Sequence, residues 1–389
     1  MAKFRVLFFL TTLIVVSVLG TFASYYARGY RLNLKTLKFQ PNGILVVKSE
    51  PDGASIYING ELKSATNATI SISPGTYDVE VKKDGFFTWY KRLVVEKEIV
   101  TQANVSLFKQ VPSLSPITFS GAVNPVASND GTKIAYSVLP SKNVSEDKVG
   151  LWTVDTYNFP LGFSNNEKRV TDGDLTNASY SFSPDGRQII LTTSNSISIL
   201  ESTSFTAQAN RVNITGKQDS ILKEWAVIKK AKEESLTRNL PPQLTDILGL
   251  RSSNVVFSPD ENMIMYTAST SGTLPEKLIP QLPGSSTQKQ ERNTLTGHTY
   301  VYDIKEDRNF LVGDKTQTLR WMPDSRHLLL LQPNQIVIMD YDGTNKQVVY
   351  SGSYIAPNGF PFTNATKLLI LTNLGATTSS ANLYTLTVK

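Results

Sequence analysis

The chain opens on an apolar block. No position from Val6 to Ala27 is charged, between Arg5 and Arg28, and these 22 residues are enough to cross a bilayer as one helix. Tyr25, Tyr26 and Tyr30 follow as interfacial aromatics do. Beyond residue 40 the period falls to two. Ile44-Leu45-Val46-Val47 is an apolar run, Ala54 to Ile58 alternates, and Asn59-Gly60 is a two-residue hairpin signal. Ile70-Ser71-Ile72, Thr76 to Val81, Leu93-Val94-Val95 and Val105-Ser106-Leu107 continue as short strands between tight turns. From about residue 111 the pattern becomes short apolar runs, each introduced by a polar turn. Helical spacing appears once in this part. Ile221, Leu222, Trp225, Ile228, Ala231 and Leu236 recur near 3.6 residues after a candidate cap at Gln218-Asp219-Ser220. Pro241-Pro242 ends that helix, and Pro242 to Gly249 reads as a second, with Pro near its start and Gly after its end.

One phrase recurs in the third part. It reads Ser181-Phe182-Ser183-Pro184-Asp185-Gly186-Arg187-Gln188-Ile189-Ile190-Leu191, and returns around Pro259-Asp260 and Pro323-Asp324, with weaker copies at Asp130-Gly131 and Asn364-Ala365. Each copy is a hairpin: an apolar strand end, a turn set by Pro and Asp, then an apolar strand. The turn residues Asp130, Asp185, Asp260, Asp324 and Asn364 lie 55, 75, 64 and 40 residues apart. The last spacing is that of one propeller blade, and the excess elsewhere marks insertions. A blade cannot cover both its faces alone, so the blades must stack around an axis. The expected fold is mainly β. It comprises a transmembrane helix with a basic juxtamembrane stretch (1–40), a small β-sandwich (41–110), and a five- or six-bladed β-propeller (111–389). The propeller carries a helical insertion over about 218–249 and a polar loop insertion over about 271–297. Residues 111–126 are a candidate to close the ring against the last strand, Leu383 to Val388.

Two stretches resemble known families. "SFSPDGRQIIL" and "IVIMDYDGTNKQVV" resemble the repeats of TolB-type propellers over about residues 112–389. That likeness implies an exported protein, many of whose relatives bind proteins or serve as docking modules, and a structural role for Asp130, Asp185, Asp260 and Asp324. Pro51-Asp52-Gly53-Ala54 and the later "PGTYDVEVKKDGF" resemble a PEGA domain, with a departure at Ala65-Thr66-Asn67. That likeness implies a cell-surface module similar to carbohydrate-binding sandwiches. Phe86, Phe87, Trp89 and Tyr90 either stack on a sugar or pack their own hairpin.

Charge and chemistry narrow the function. Six of the 39 basic residues precede position 41, and the other 33 balance the 33 acidic residues. The folded part is therefore neutral, which sets nucleic-acid binding aside. There is no Cys and only His298 and His327, so disulfides and multi-histidine metal sites are excluded within the chain. A nucleophile elbow, a metalloprotease helix motif and a phosphate-binding loop are all missing. Asp172-Gly173-Asp174 and Asp340-Tyr341-Asp342-Gly343 read as turns, not as calcium loops. No catalytic, cofactor or metal residue is assigned. The expectation is a non-catalytic binding or scaffold protein of the bacterial cell envelope, single-pass through an uncleaved signal-anchor, with its bulk outside the cytoplasmic membrane. Its partners would be the membrane and an envelope protein or a cell-wall glycan. Trp225 and Ile228 on the helical insertion, and Trp89 and Tyr90, are the candidate partner contacts. The alternative is a hydrolase or lyase with carboxylates in the propeller funnel.

Overall fold

Five tight turns set the frame of the larger part of the molecule. In each, an Asp or Asn side chain folds back to accept a backbone amide two residues on. Asp130 takes it from Thr132, Asp185 from Arg187, Asp260 from Asn262, Asp324 from Arg326 and Asn364 from Thr366, all at 3.1–3.2 Å. In three of them a serine braces the turn from inside. Ser128, Ser183 and Ser258 donate to the aspartate and accept the amide of Lys133, Gln188 and Met263. The residue after the Asp or Asn is left-handed in all five: Gly131, Gly186, Glu261, Ser325 and Ala365, with φ of 68°, 70°, 62°, 60° and 55°. Only two are glycines, so three carry the Cβ penalty of that conformation. Exposed Glu261→Gly is expected to stabilise the fold by about 0.5–1 kcal/mol. The check is a urea midpoint that rises at unchanged m, and an equal or lower midpoint contradicts it.

The computed structural model describes residues 2–27, 30–33, 38–157, 167–280, 287–376 and 380–389. Arg28, Lys35 and the 281–286 portion of the expected loop insertion, with Pro283, Gly284, Ser285 and Ser286, lie outside them. The chain divides into two compact units, Met1–Leu107 with Gln281–Lys289, and Phe108–Pro280 with Gln290–Lys389.

In the first unit, helix α1 spans Ala2–Ala27, and Leu7–Ala27 is long and apolar enough to cross a membrane. A β-sandwich follows. Its three-stranded sheet places Gly43–Glu50 between Ala68–Ile72, antiparallel, and Val100–Ser106, parallel. Its four-stranded sheet runs Glu61–Ala65, Ser55–Ile58, Gly75–Lys82, Trp89–Val95. The period-two pattern turns Leu45, Val47, Ile56, Ile58, Val79 and Val81 into one core. Asn59 and Gly60 both have positive φ, as the hairpin dipeptide requires. Glu61–Ala65 is a strand that its polar composition concealed, paired through the backbone and open to solvent.

In the second unit, five four-stranded antiparallel sheets form the blades of a propeller. The first blade is Val123–Ala127, Lys133–Val138, Gly150–Asp155 and Lys168–Asp172. The second begins at Ser179–Phe182, the third at Ser252–Phe257 and the fourth at Thr318–Trp321. The fifth takes Gly359–Pro361, Lys367–Thr372 and Asn382–Thr387 from the end of the chain and Ser113–Pro116 from the start of the unit. Ser113 pairs with Thr387 and Pro116 with Tyr384, so the two ends of the unit zip together. Apolar cores join neighbouring blades. Tyr136 and Val154 of the first meet Phe362 and Leu383 of the fifth, Leu151 meets Ile189 of the second, and Met265 of the third meets Trp321 of the fourth. Trp321 also donates its indole N–H to Val256 O at 3.1 Å, and Tyr180 its hydroxyl to Asn124 O at 2.6 Å.

The helical insertion joins the second blade to the third. Helix α2 covers Gln218–Thr237 and α3 covers Pro242–Leu250. Two details differ from the sequence expectation. Asp219 lies in the first turn of α2 and caps nothing, where its charge still suits the helix dipole. Helix α3 runs through Gly249 and ends at Leu250, the Arg251 amide closing on Ile247 O. The second insertion, within the third blade, carries a small ribbon of Gly272–Thr273 and Asn293–Thr294.

Candidate functional site

The four repeat aspartates are turn pieces by geometry, since each spends its carboxylate on its own loop. Asp324 does more. It accepts from His327 Nδ1 at 2.7 Å and lies 3.8 Å from Lys389 Nζ. Burial pushes its pKa up, and the His327 hydrogen bond, then the charges of His327 and Lys389, overcome that and hold it far below the carboxylate range. His327 Nε2 faces Asp340 at 3.5 Å, and its ring meets Phe108 edge-on. This group is buried and closed on itself.

In the sandwich, Trp89 is 5% exposed and belongs to the core, with Phe86 packed against it. Tyr90 is exposed and donates its hydroxyl to Asp78 Oδ1 at 2.8 Å. Strand alternation sends neighbours to opposite faces, so these two aromatics do not form one platform.

The two helices of the insertion behave differently. Leu244 and Leu248 of α3 are buried against Ile264, Tyr266 and Tyr300 of the third blade. Helix α2 buries no residue over 20 positions. Trp225 is half-buried, with Leu222 and Ile228 beside it on one face at 40% and 50% exposure, and Val227 is 67% exposed. The apolar stripe that the sequence marked is therefore largely uncovered on α2.

A cleft of about 150 Å³ lies beside the seam between the fifth and first blades. Its near wall is the connection Thr118–Gly121. Asn382 Oδ1 accepts from Thr118 Oγ1 at 2.9 Å and from the Gly121 amide at 3.0 Å, and Thr118 Oγ1 accepts the Leu383 amide at 2.8 Å. Gly121 is needed there, with φ +88° and Ser380 3.2 Å from any added Cβ. This pinned loop holds Phe119 out at 80% exposure. The far wall is the first blade. Tyr136 is buried and donates to Glu167 Oε1 at 2.7 Å, while Trp152 donates Nε1–H to Lys148 O at 2.8 Å. Lys148 Nζ lies 5.7 Å from the Trp152 ring centre. Glu167 as a whole is exposed, and the partial desolvation of its carboxyl against Tyr136 raises its pKa against the opposing Tyr136 hydrogen bond and the Lys148 charge. The same tyrosine is raised by burial first and by the Glu167 charge second.

None of these cleft residues stood out in the sequence. Phe119 sits in a proline-flanked connection, Trp152 and Tyr136 sit on strands that read as core, and Glu167 sits at a strand start. Ring closure brings them together from separate stretches of the chain, at the join of its two ends.

Three other acidic side chains are engaged locally. Asp174 Oδ1 accepts from the Thr176 amide and hydroxyl, and Asp342 Oδ1 does the same for Thr344. Asp303, whose pKa is raised by burial, accepts the Lys305 and Glu306 amides. It lies on the third blade and Glu167 on the first. Among the described residues no group of three or more His, Cys, Asp or Glu side chains is arranged to hold a metal ion.

No curated protein matches this chain. Among solved structures it is similar to TolB from Acinetobacter baumannii, at 13% identity and a TM-score of 0.23, over 80% of this chain and 59% of that one. It is similar to a putative TolB from Agrobacterium tumefaciens, at 13% identity and a TM-score of 0.21, over 69% and 73%. It is also similar to an acylaminoacyl peptidase from Pyrococcus horikoshii, at 12% identity and a TM-score of 0.23, over 70% and 39%. The chain thus spans under two thirds of the first and third of these. The propeller stands on its own strand order and closure. The family model that matches is the PEGA domain, over residues 42–110. The seven-stranded sandwich at those positions is a PEGA domain, and a five-bladed propeller follows it.

Proposed function

We propose that this is a non-catalytic binding protein of the cell envelope, held to the membrane by Leu7–Ala27, with the PEGA domain and propeller on the outer side. The propeller is the partner-binding part, and helix α2 docks the partner. The observation that carries this reading is the uncovered apolar face of α2. A 20-residue helix with no fully buried residue gains little from its apolar side chains in the free protein. Fully burying a side chain the size of leucine stabilises by about 1.5–3 kcal/mol, and Leu222 and Ile228 keep much of that gain for a partner. The match to a PEGA domain and the neutral folded surface support an envelope setting.

The test is Leu222→Ser combined with Ile228→Ser in the full-length protein extracted in mild detergent. Both side chains are at least 40% exposed, so the melting temperature is expected to stay within about 2 °C. The wild type should run as a stoichiometric complex and the double variant at the mass of the single chain. A wild type that runs alone, or a variant that keeps the complex, contradicts the reading.

A further inference from the structure

We infer that the cleft beside the fifth and first blades is a sugar subsite. It takes one pyranose ring of a longer glycan between Phe119 and Trp152, with Glu167 accepting ring hydroxyls and Lys148 donating to a neighbouring oxygen. The site is separate from helix α2 and does not depend on what that helix binds.

Four observations carry this. First, Phe119 has no packing role. It is 80% exposed on a loop whose flanks are tied down by three hydrogen bonds around Asn382 and Thr118. A loop backbone already fixed by these bonds is pre-organised for a ligand, so that only the rotamer freedom of the ring remains to be lost on binding. Second, the cleft is lined by another aromatic, Trp152. Its polar edge is used on Lys148 O and Lys148 Nζ stands over the ring at 5.7 Å, so the C–H face of a sugar reaches the indole where the half-exposed Lys148 side chain swings aside to donate to a neighbouring oxygen. Third, the polar groups come in both kinds. Glu167 offers acceptor sites beyond the one that Tyr136 occupies, and Lys148 offers donors. Vicinal hydroxyls need such a mixture, whereas a purely apolar ligand would leave Glu167 and Lys148 desolvated and unmatched. Fourth, the space is small. About 150 Å³ is below the roughly 300–1,000 Å³ of sites that enclose a whole drug-sized ligand, so one ring fits while the rest of the chain stays outside.

The experiment uses the full-length protein in detergent micelles, labelled with 5-fluorotryptophan. Its four tryptophans give four signals, and a Trp152→Phe sample assigns the one that matters. Three probes are titrated to about 10 mM, a concentration that reports weak single-ring binding: a tetramer of N-acetylglucosamine, cellotetraose and tetragalacturonic acid. At least one is expected to shift the Trp152 signal saturably. Phe119→Ala should weaken that probe at least tenfold. Glu167→Gln, which keeps an acceptor for Tyr136, should weaken it at least fivefold. Neither should change the spectrum of the free protein elsewhere. The preferred probe reports the neighbouring group: an acidic sugar if Lys148 faces a carboxylate, an acetamido or neutral sugar if it faces a carbonyl or hydroxyl. No saturable shift with any probe, or a shift that survives both substitutions, overturns the assignment. The α2 double variant should bind the probe normally, which keeps this outcome apart from the docking test.

Discussion

Replacing Asp324 with Ala is expected to destabilise the propeller by about 3–5 kcal/mol, the range for breaking a buried charge pair. The side chain is 12% exposed and serves four polar groups on three residues. It caps the Arg326 and His327 amides at 3.1 and 3.2 Å, holds His327 Nδ1 at 2.7 Å and faces Lys389 Nζ, which is 5% exposed. Removal leaves a turn uncapped, and takes a carboxylate from beside the buried Lys389 ammonium. Asp324→Asn separates the turn from the rest: the amide oxygen keeps the two turn amides, while the charge and the acceptor for His327 Nδ1 are lost. Its expected cost is about 1–3 kcal/mol, in line with loss of a charged hydrogen-bond partner. The pH dependence has a definite sign. Because the folded pKa is far below the unfolded value near 4, the folded state keeps Asp324 ionised where the unfolded chain binds a proton. Its contribution is complete above about pH 4 and is lost as pH falls below that. The wild type should therefore lose stability steeply between roughly pH 4 and 2, and Asp324→Asn should flatten that part of the curve. Urea midpoints from pH 7 to pH 2 make the check. An Asn variant with the wild-type slope in acid would show that other carboxylates dominate.

Deleting Asn382–Lys389 should abolish the propeller's cooperative unfolding transition altogether. The strand Asn382–Thr387 is the middle of the closure. It pairs with Lys367–Thr372 on one side and Ser113–Pro116 on the other. Without it Ser113–Pro116 has no partner, and the first blade loses its neighbour's core. Leu383, Leu386 and Val388 are each at most 2% exposed, and three such side chains contribute about 5–9 kcal/mol. That is comparable with the whole stability of a domain, about 5–15 kcal/mol. The PEGA domain has its own core, so its melting transition should remain. Calorimetry of the full chain and the deletion would show one transition lost and one kept. Leu383→Asp is the milder form, expected to lower the propeller transition by at least 10 °C while leaving the other in place. Two intact transitions in the deletion would mean that four blades and a half hold together unclosed.

The repeat turns are legible in the residue order because their physics is local. An Asp or Asn followed by a left-handed residue, with a Ser two positions before it in three of the five copies, is complete within six positions, so each copy announces its hairpin. The period-two runs of the PEGA domain are legible for the same reason, since a strand's two faces are written in alternate residues. Glu61–Ala65 is not, because a polar strand is held by backbone pairing and leaves no pattern. The helical insertion shows the limit sharply. Helices α2 and α3 carry similar apolar spacing, yet Leu244 and Leu248 are buried while Leu222 and Ile228 are open. Which stripe finds cover depends on what the third blade presents, and that is absent from the stripe itself. Likewise Trp89 and Tyr90 look alike in a row of aromatics, and only the strand's orientation sends one inward and the other to Asp78.

The chain's own residue order is enough to read the repeat turns, the alternating strands, the two helices and the apolar span, because each is a pattern within a few tens of residues, and the recurrence of the turns is enough to read a propeller. The number of blades, the zipping of Ser113–Pro116 onto Asn382–Thr387, and the meeting of Phe119 with Tyr136, Trp152 and Glu167 come from the closed ring. These contacts join positions far apart along the chain, and nothing local in any one of them anticipates its neighbour.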